Sequence, residues 1–174
     1  MGLDVVKAGA VFFAAVVLQA AIVSAFEPFG GTADLVLVTL TAVALLRGAV
    51  FAALAGFYAG FLLDAAHLET LGLSSLLLTL AGYWIGRYGE TTGRDRAHAP
   101  LLAIAVVTVV YSLSALAMLY LLGDAVSART GLIDALPAQI LLNLALTIPV
   151  YALVRRIFSR PGARPAMEVE FGTH

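Results

Sequence analysis

Residues 33–64, ADLVLVTLTAVALLRGAVFAALAGFYAGFLLD, constrain the fold more than any other stretch of the chain. The run opens at Asp34 and closes at Asp64, and the one strong charge between them is Arg47, followed by Gly48. The rest is apolar or small. As one helix it would extend about 46 Å, well beyond the ~30 Å hydrocarbon core of a bilayer. As two helices broken at Arg47-Gly48, each half has only about 15 residues. That is short for a span and needs local thinning of the bilayer or an Arg47 that snorkels to the interface. The charges elsewhere in the chain decide between the two.

The chain is 61% hydrophobic and 12% charged, where soluble proteins carry about a quarter charged residues. Its apolar residues come in long blocks, which makes it an all-α integral membrane protein with most of its mass in the bilayer. In 174 residues there is no room for a second folded domain. The net charge of -1 carries no nucleic-acid signal, and the absence of cysteine excludes disulfides and thiolate chemistry. Lys7 ahead of an apolar run, with Val23-Ser24-Ala25 after it, has some features of a cleavable signal. The run from Ala8 to Phe26 is nevertheless long enough to span, so it is expected to be a retained first helix.

Hydropathy and turn residues predict helices at about 5–26, 33–46, 48–64, 71–88, 100–122 and 132–154. Thr32 is the expected N-cap of the second, with Asp34 in its first turn, where a carboxylate suits the helix dipole. Tyr83, Trp84 and Tyr88 cluster near the end of the fourth, as in an interfacial aromatic belt. Pro149 lies late in the sixth and is expected to kink it. Residues 155–174 are basic, then acidic at Glu168 and Glu170, and are expected to form a disordered tail. Six spans put Lys7, Arg47, Arg87, Arg94, Arg96, Arg155, Arg156, Arg160 and Arg164 on one side and Arg129 alone on the other. Fusing the second and third helices would send Arg87, Arg94 and Arg96 to the opposite side from the terminal bases. The positive-inside rule therefore selects six spans with both termini in the cytoplasm.

Helix three carries small residues every fourth position, Gly48, Ala52, Gly56 and Gly60, and ends on Asp64; helix four repeats the device with Gly82 and Gly86. Such spacing lets helix backbones approach closely, either inside the protein or against a second membrane protein. Asp64, at the outer end of an apolar helix, either binds a proton, an ion or a partner's base, or accepts bonds from backbone and from hydroxyls such as Ser74 and Ser75. His67 and Glu69 nearby make too small a ligand set for a metal site. Gln139, Asn143 and Thr147 share one face of helix six, as Thr108 and Ser112 do in helix five. That polar stripe would line a small-molecule cavity or form interhelical hydrogen bonds. The arginines at 94, 96, 155, 156, 160 and 164 make a cytoplasmic basic surface facing anionic lipid. No phosphate-cradling loop, His-rich metal motif or activated nucleophile is present, so neither an enzyme nor a cofactor is expected. A small intramembrane chain of this kind suits a scaffold or a small transport subunit.

The order Asp34, Leu45-Leu46-Arg47-Gly48, Gly56 and Gly60, Leu62-Leu63-Asp64, Leu71-Gly72 and Gly82-Tyr83-Trp84-Ile85-Gly86 resembles the rod shape-determining protein MreD family. Ala33 departs from it, since proline commonly precedes the aspartate there. The resemblance covers about a third of the chain. It implies a component of the bacterial inner membrane, acting in the cell-elongation (Rod) complex beside MreC, with MreB, RodA and a class B penicillin-binding protein, a transpeptidase. It also implies a compact six-helix bundle similar to the S-components of energy-coupling-factor transporters, with a small central cavity. Two functions follow as expectations. One is a non-enzymatic scaffold that holds MreC through the small-residue faces of helices three and four and the outer region around Asp64. The other is an S-component-like binder of a vitamin or similar molecule, using Gln139, Asn143 and Thr147. A flippase-like path for a lipid-linked precursor has no line of charges to carry it.

Overall fold

The computed structural model describes residues 2–21, 33–67, 72–92, 99–121 and 135–158. They form six α-helices, α1 (Gly2–Ala21), α2 (Leu35–Arg47), α3 (Ala49–His67), α4 (Leu73–Thr92), α5 (Ala99–Leu121) and α6 (Leu136–Phe158). Four of them, α1, α3, α5 and α6, are long and apolar enough to cross a membrane. The split at Arg47-Gly48 has a local cause. Gly48 adopts φ 89°, a conformation that costs an L side chain, and its N–H donates to the Ala44 carbonyl to close α2. The next helix starts one residue later.

Paired contacts fix the direction of every helix. Gln19 meets Val36 and Asp4 meets Arg47, so α1 and α2 are antiparallel. Added side chains at Gly56 and Gly60 would strike Leu78 and Ser75, while those at Gly82 and Gly86 would strike Ala52 and Ala49, so α3 and α4 are antiparallel too. Thr108 and Ser112 meet Asn143 and Gln139, which sets α5 against α6. Asp34 and Arg47 meet Asn143 and Phe158, which makes α2 parallel to α6, and Gly82 and Gly89 facing Leu40 and Leu45 make it parallel to α4. Direction therefore alternates along the chain. The start of α1 and the end of α6 share one end of the bundle, together with Arg47, Arg87, Arg155 and Arg156.

The thirteen-residue α2 is the axis. All ten residues from Val36 to Leu45 are buried, and α2 touches each of the other five helices. A helix apolar on every side is stable only when surrounded, and here protein surrounds it, so its length need not match the bilayer. The most extensive helix pair is α3 with α4.

Several boundaries differ from those expected. The α6 helix continues to Phe158, so Arg155 and Arg156 lie in its last turn and not in a tail. The α4 helix runs on to Thr92, four residues past the aromatic cluster's end, because Glu90 and Thr91 find partners there. Asp34, and not Thr32, is the residue that caps α2, by accepting from the Leu37 N–H at 2.8 Å. Thr32 itself, the end of the expected first helix at 22–26, and residues 159–174 lie outside the described residues.

Candidate functional site

Because α2 is only about 20 Å long against about 35 Å for α6, its N-terminus begins inside the bundle. Asn143, which meets it, lies seven residues into α6, about 10 Å below that helix's start. The first N–H groups of a helix have no intrahelical acceptor, and those of α2 are buried inside the protein. Three side chains supply the acceptors. Asn143 Oδ1 accepts from the Asp34 N–H at 2.8 Å, Gln19 Oε1 from the Val36 N–H at 2.8 Å, and the Asp34 carboxylate from Leu37. Asn143 is fully buried, and its Nδ2 donates to Thr108 Oγ1 at 3.0 Å, tying in α5. The polar junction at Asp34 therefore joins four helices, α1, α2, α5 and α6.

This accounts for the polar stripe on α6. Asn143 serves as a cap for another helix, Thr147 Oγ1 donates to the Asn143 carbonyl one turn back, and Gln139 Oε1 accepts from Ser112 Oγ at 3.0 Å. Of the three, Thr147 alone borders a described concavity. The residues expected to line a central ligand cavity are thus engaged in holding helix ends and helix pairs together.

Asp64 repeats the device at the end of the bundle away from Arg47. It is 1% exposed; its Oδ2 accepts from the Gly72 N–H at 2.7 Å and its Oδ1 from the Ser74 N–H at 3.1 Å. A carboxylate on α3 thus caps the start of α4, with Gly72 at φ 101° making the turn. The bonds are to backbone N–H groups, not to the hydroxyls of Ser74 and Ser75; Ser75 Oγ has no partner among the described residues. Glu69 lies outside the described residues, and among those described no acidic or histidine cluster of metal-binding size occurs.

The glycine ladder is likewise filled from within. A Cβ at Gly56 or Gly60 would run into the backbone of Leu78 or Ser75, and one at Gly82 or Gly86 into that of Ala52 or Ala49. The two small-residue faces lie against each other, so neither is open to a second protein. What faces outward from this pair is large and apolar: Val50, Leu54, Phe57 and Phe61 on α3, and Leu76, Leu80 and Trp84 on α4.

The basic end is laced by charge. Arg47 makes a two-pronged bond to Asp4, at 2.8 and 3.1 Å, and its guanidinium stands 5.0 Å over the Phe158 ring. Lys7 Nζ donates to the Ile157 carbonyl at 3.0 Å, near the negative end of α6. Glu90 Oε1 accepts from the Ala49 N–H, capping α3. Arg47 therefore resides inside the protein, bonded to α1, and does not snorkel to lipid. Asp4, Glu90 and Phe158 were not singled out from sequence. The available signal was Asp4 itself, an acid at the same depth as Arg47 once neighbouring helices alternate.

Two concavities open on the sides of the bundle. A groove of about 590 Å³ separates α4 from α5 and is walled by Leu80, Ala81, Trp84, Val106, Val110 and Tyr111. A cleft of about 430 Å³ lies between the start of α5 and the end of α6, bordered by Pro100, Thr147, Tyr151, Arg155 and Arg156.

A family model described as rod shape-determining protein MreD matches residues 5–157. The chain belongs to the MreD family. No curated protein and no solved structure matches it. MreD membership makes this a multi-pass membrane protein with a role in rod shape determination, from a family of structural proteins and not a known enzyme family. The residues that carry the resemblance are the ones that set the backbone here. Asp34 and Asp64 cap helices, Gly48 breaks the long run, and Gly56, Gly60, Gly82 and Gly86 lock α3 to α4. In this MreD chain the motif specifies how α2, α3 and α4 are wound together.

Proposed function

We propose that the chain crosses the bacterial inner membrane six times, with both termini in the cytoplasm, and acts as a non-catalytic scaffold of the cell-elongation complex. In that role it holds MreC, alongside MreB, RodA and a class B penicillin-binding protein, and so supports peptidoglycan synthesis. The alternating helix directions and the gathering of Arg47, Arg87, Arg155 and Arg156 at one end support this topology. One observation carries the scaffold function. The polar side chains of the interior are committed to capping and cross-linking helices, while the larger lateral concavity, between α4 and α5, is almost wholly apolar. An apolar groove in the plane of the bilayer suits another apolar helix packed edge-on, such as a membrane span of MreC. This replaces the glycine faces of α3 and α4 as the seat for MreC, since those faces are occupied by each other.

The experiment is affinity purification of the tagged protein from mildly solubilised native membranes, with mass spectrometry of what accompanies it. Wild-type protein is expected to bring down MreC, and an Ala81→Trp variant, which fills the groove, to lose it. Equal recovery of MreC by both would remove the groove from the account. Recovery of a coupling membrane subunit with paired ATPases, and no MreC, would replace the scaffold with a transporter.

A further inference from the structure

On α6, Ile148, Ala152 and Arg156 fall at i, i+4 and i+8, and Thr147, Tyr151 and Arg155 form the adjoining row. Together they make a lane about 12 Å long that is apolar at its inner end and cationic at the end where Arg47 and Arg87 also lie. Pro100 and Leu101, in the first turn of α5, form the opposite wall of the 430 Å³ cleft. The start of α5 adds the partial positive charge of a helix N-terminus, and proline at its second residue removes no N–H that an intrahelical bond needs. The cleft therefore changes from mainly apolar to cationic along its length.

From this we infer that the α5–α6 cleft is a binding site for an anionic phospholipid. Its phosphate sits between Arg155, Arg156 and the N-terminus of α5, and one acyl chain lies along Ile148, Tyr151 and Leu101. A soluble anion would leave the apolar two-thirds of the lane empty, and a zwitterionic lipid would bring an ammonium group to two arginines. The charge complementarity thus selects one occupant, and the cytoplasmic leaflet is where anionic lipids meet polybasic segments. The assignment rests on the orientation proposed above only for which leaflet supplies the lipid. Its readout uses purified protein without MreC, so the two can fail separately.

The experiment is native mass spectrometry of the purified chain released from micelles doped with phosphatidylglycerol or phosphatidylcholine. Wild-type protein is expected to retain phosphatidylglycerol in preference to phosphatidylcholine. Arg156→Gln is expected to weaken that retention about fivefold, the worth of one basic residue near an anionic surface. Ile148→Trp, which blocks the apolar lane and leaves both charges, is expected to weaken it as well. Arg87→Gln removes a base at the same end but outside the cleft and is expected to change nothing. Retention of both lipids alike, or an equal loss from Arg87→Gln and Arg156→Gln, would overturn the site in favour of diffuse charge attraction. Displacement of the lipid by millimolar inorganic phosphate would overturn the lipid as occupant. A circular-dichroism spectrum matching wild type qualifies each variant as folded, and Arg156→Gln, at an exposed position, is the one that keeps the test decisive if Ile148→Trp does not fold.

Discussion

Replacing Asn143 by leucine removes two interactions of unequal kind. The Asn143–Thr108 bond joins two side chains, and such bonds between membrane helices are worth about 0.6 kcal/mol on average. The bond from the Asp34 N–H ends on Asn143 Oδ1 in a fully buried place, so its loss strands a backbone donor at a cost of about 1–3 kcal/mol. Leucine keeps the branched shape but its methyl groups are bulkier than the amide, which crowds a fully buried site, and in a bilayer its apolar surface gives no compensating drive. The two losses together are a destabilisation of about 1.6–3.6 kcal/mol. Gln139→Leu is the internal control: it breaks one side-chain bond, to Ser112, at a half-buried position, and about 0.6 kcal/mol is expected. Reversible unfolding by sodium dodecyl sulfate in mixed micelles, followed by far-UV circular dichroism, reads both. Equal midpoints and equal slopes for the two variants would show that Asn143 does not act as the cap of α2, and the account of the polar junction would fall with it.

Three further outcomes follow from the helix contacts. Gly60→Leu forces a side chain into the backbone of α4 at Ser75 and is expected to abolish accumulation of the folded protein, read as loss of a monodisperse peak in detergent, whereas Gly9→Leu, beside which there is open space, is expected to keep it. Asp64→Ala leaves the Gly72 and Ser74 N–H groups without their acceptor and is expected to cost about 1–2 kcal/mol in the same unfolding assay, with Asp64→Asn recovering part of it. For Asp4 and Arg47, a double-mutant cycle with Asp4→Asn and Arg47→Met is expected to give a coupling of about 1 kcal/mol that shrinks in high salt; additive effects would mean that the pair is geometric only.

What could be read from the amino acids alone was the pattern that hydrocarbon imposes. Six apolar segments, the break at Arg47-Gly48 and the grouping of bases follow from hydropathy, a glycine and the sign of charge, all local quantities. The spacing of Gly56, Gly60, Gly82 and Gly86 also announced close helix contact, although not whether the partner was internal. The uses of Asn143 and Gln19 could not be read in the same way. Each bonds a backbone N–H on a different helix, and every residue but proline carries that donor, so nothing in the partner's identity marks the pairing. Asp64 was conspicuous as a carboxylate at the end of an apolar helix, yet its acceptors' partners are again N–H groups of Gly72 and Ser74. Asp4 carries no mark of its pairing either, since an acid in a first turn already has a sufficient explanation in the helix dipole.

The seat of MreC on the α4–α5 groove is tested most directly by site-specific photo-crosslinking in native membranes. A benzophenone side chain at Leu80 or Val106, on the two walls of the groove, is expected to yield an adduct with MreC, while one at Leu54, on the outward face of α3, is expected to yield only lipid-quenched protein. MreC adducts from Leu54 and none from either wall of the groove would contradict it.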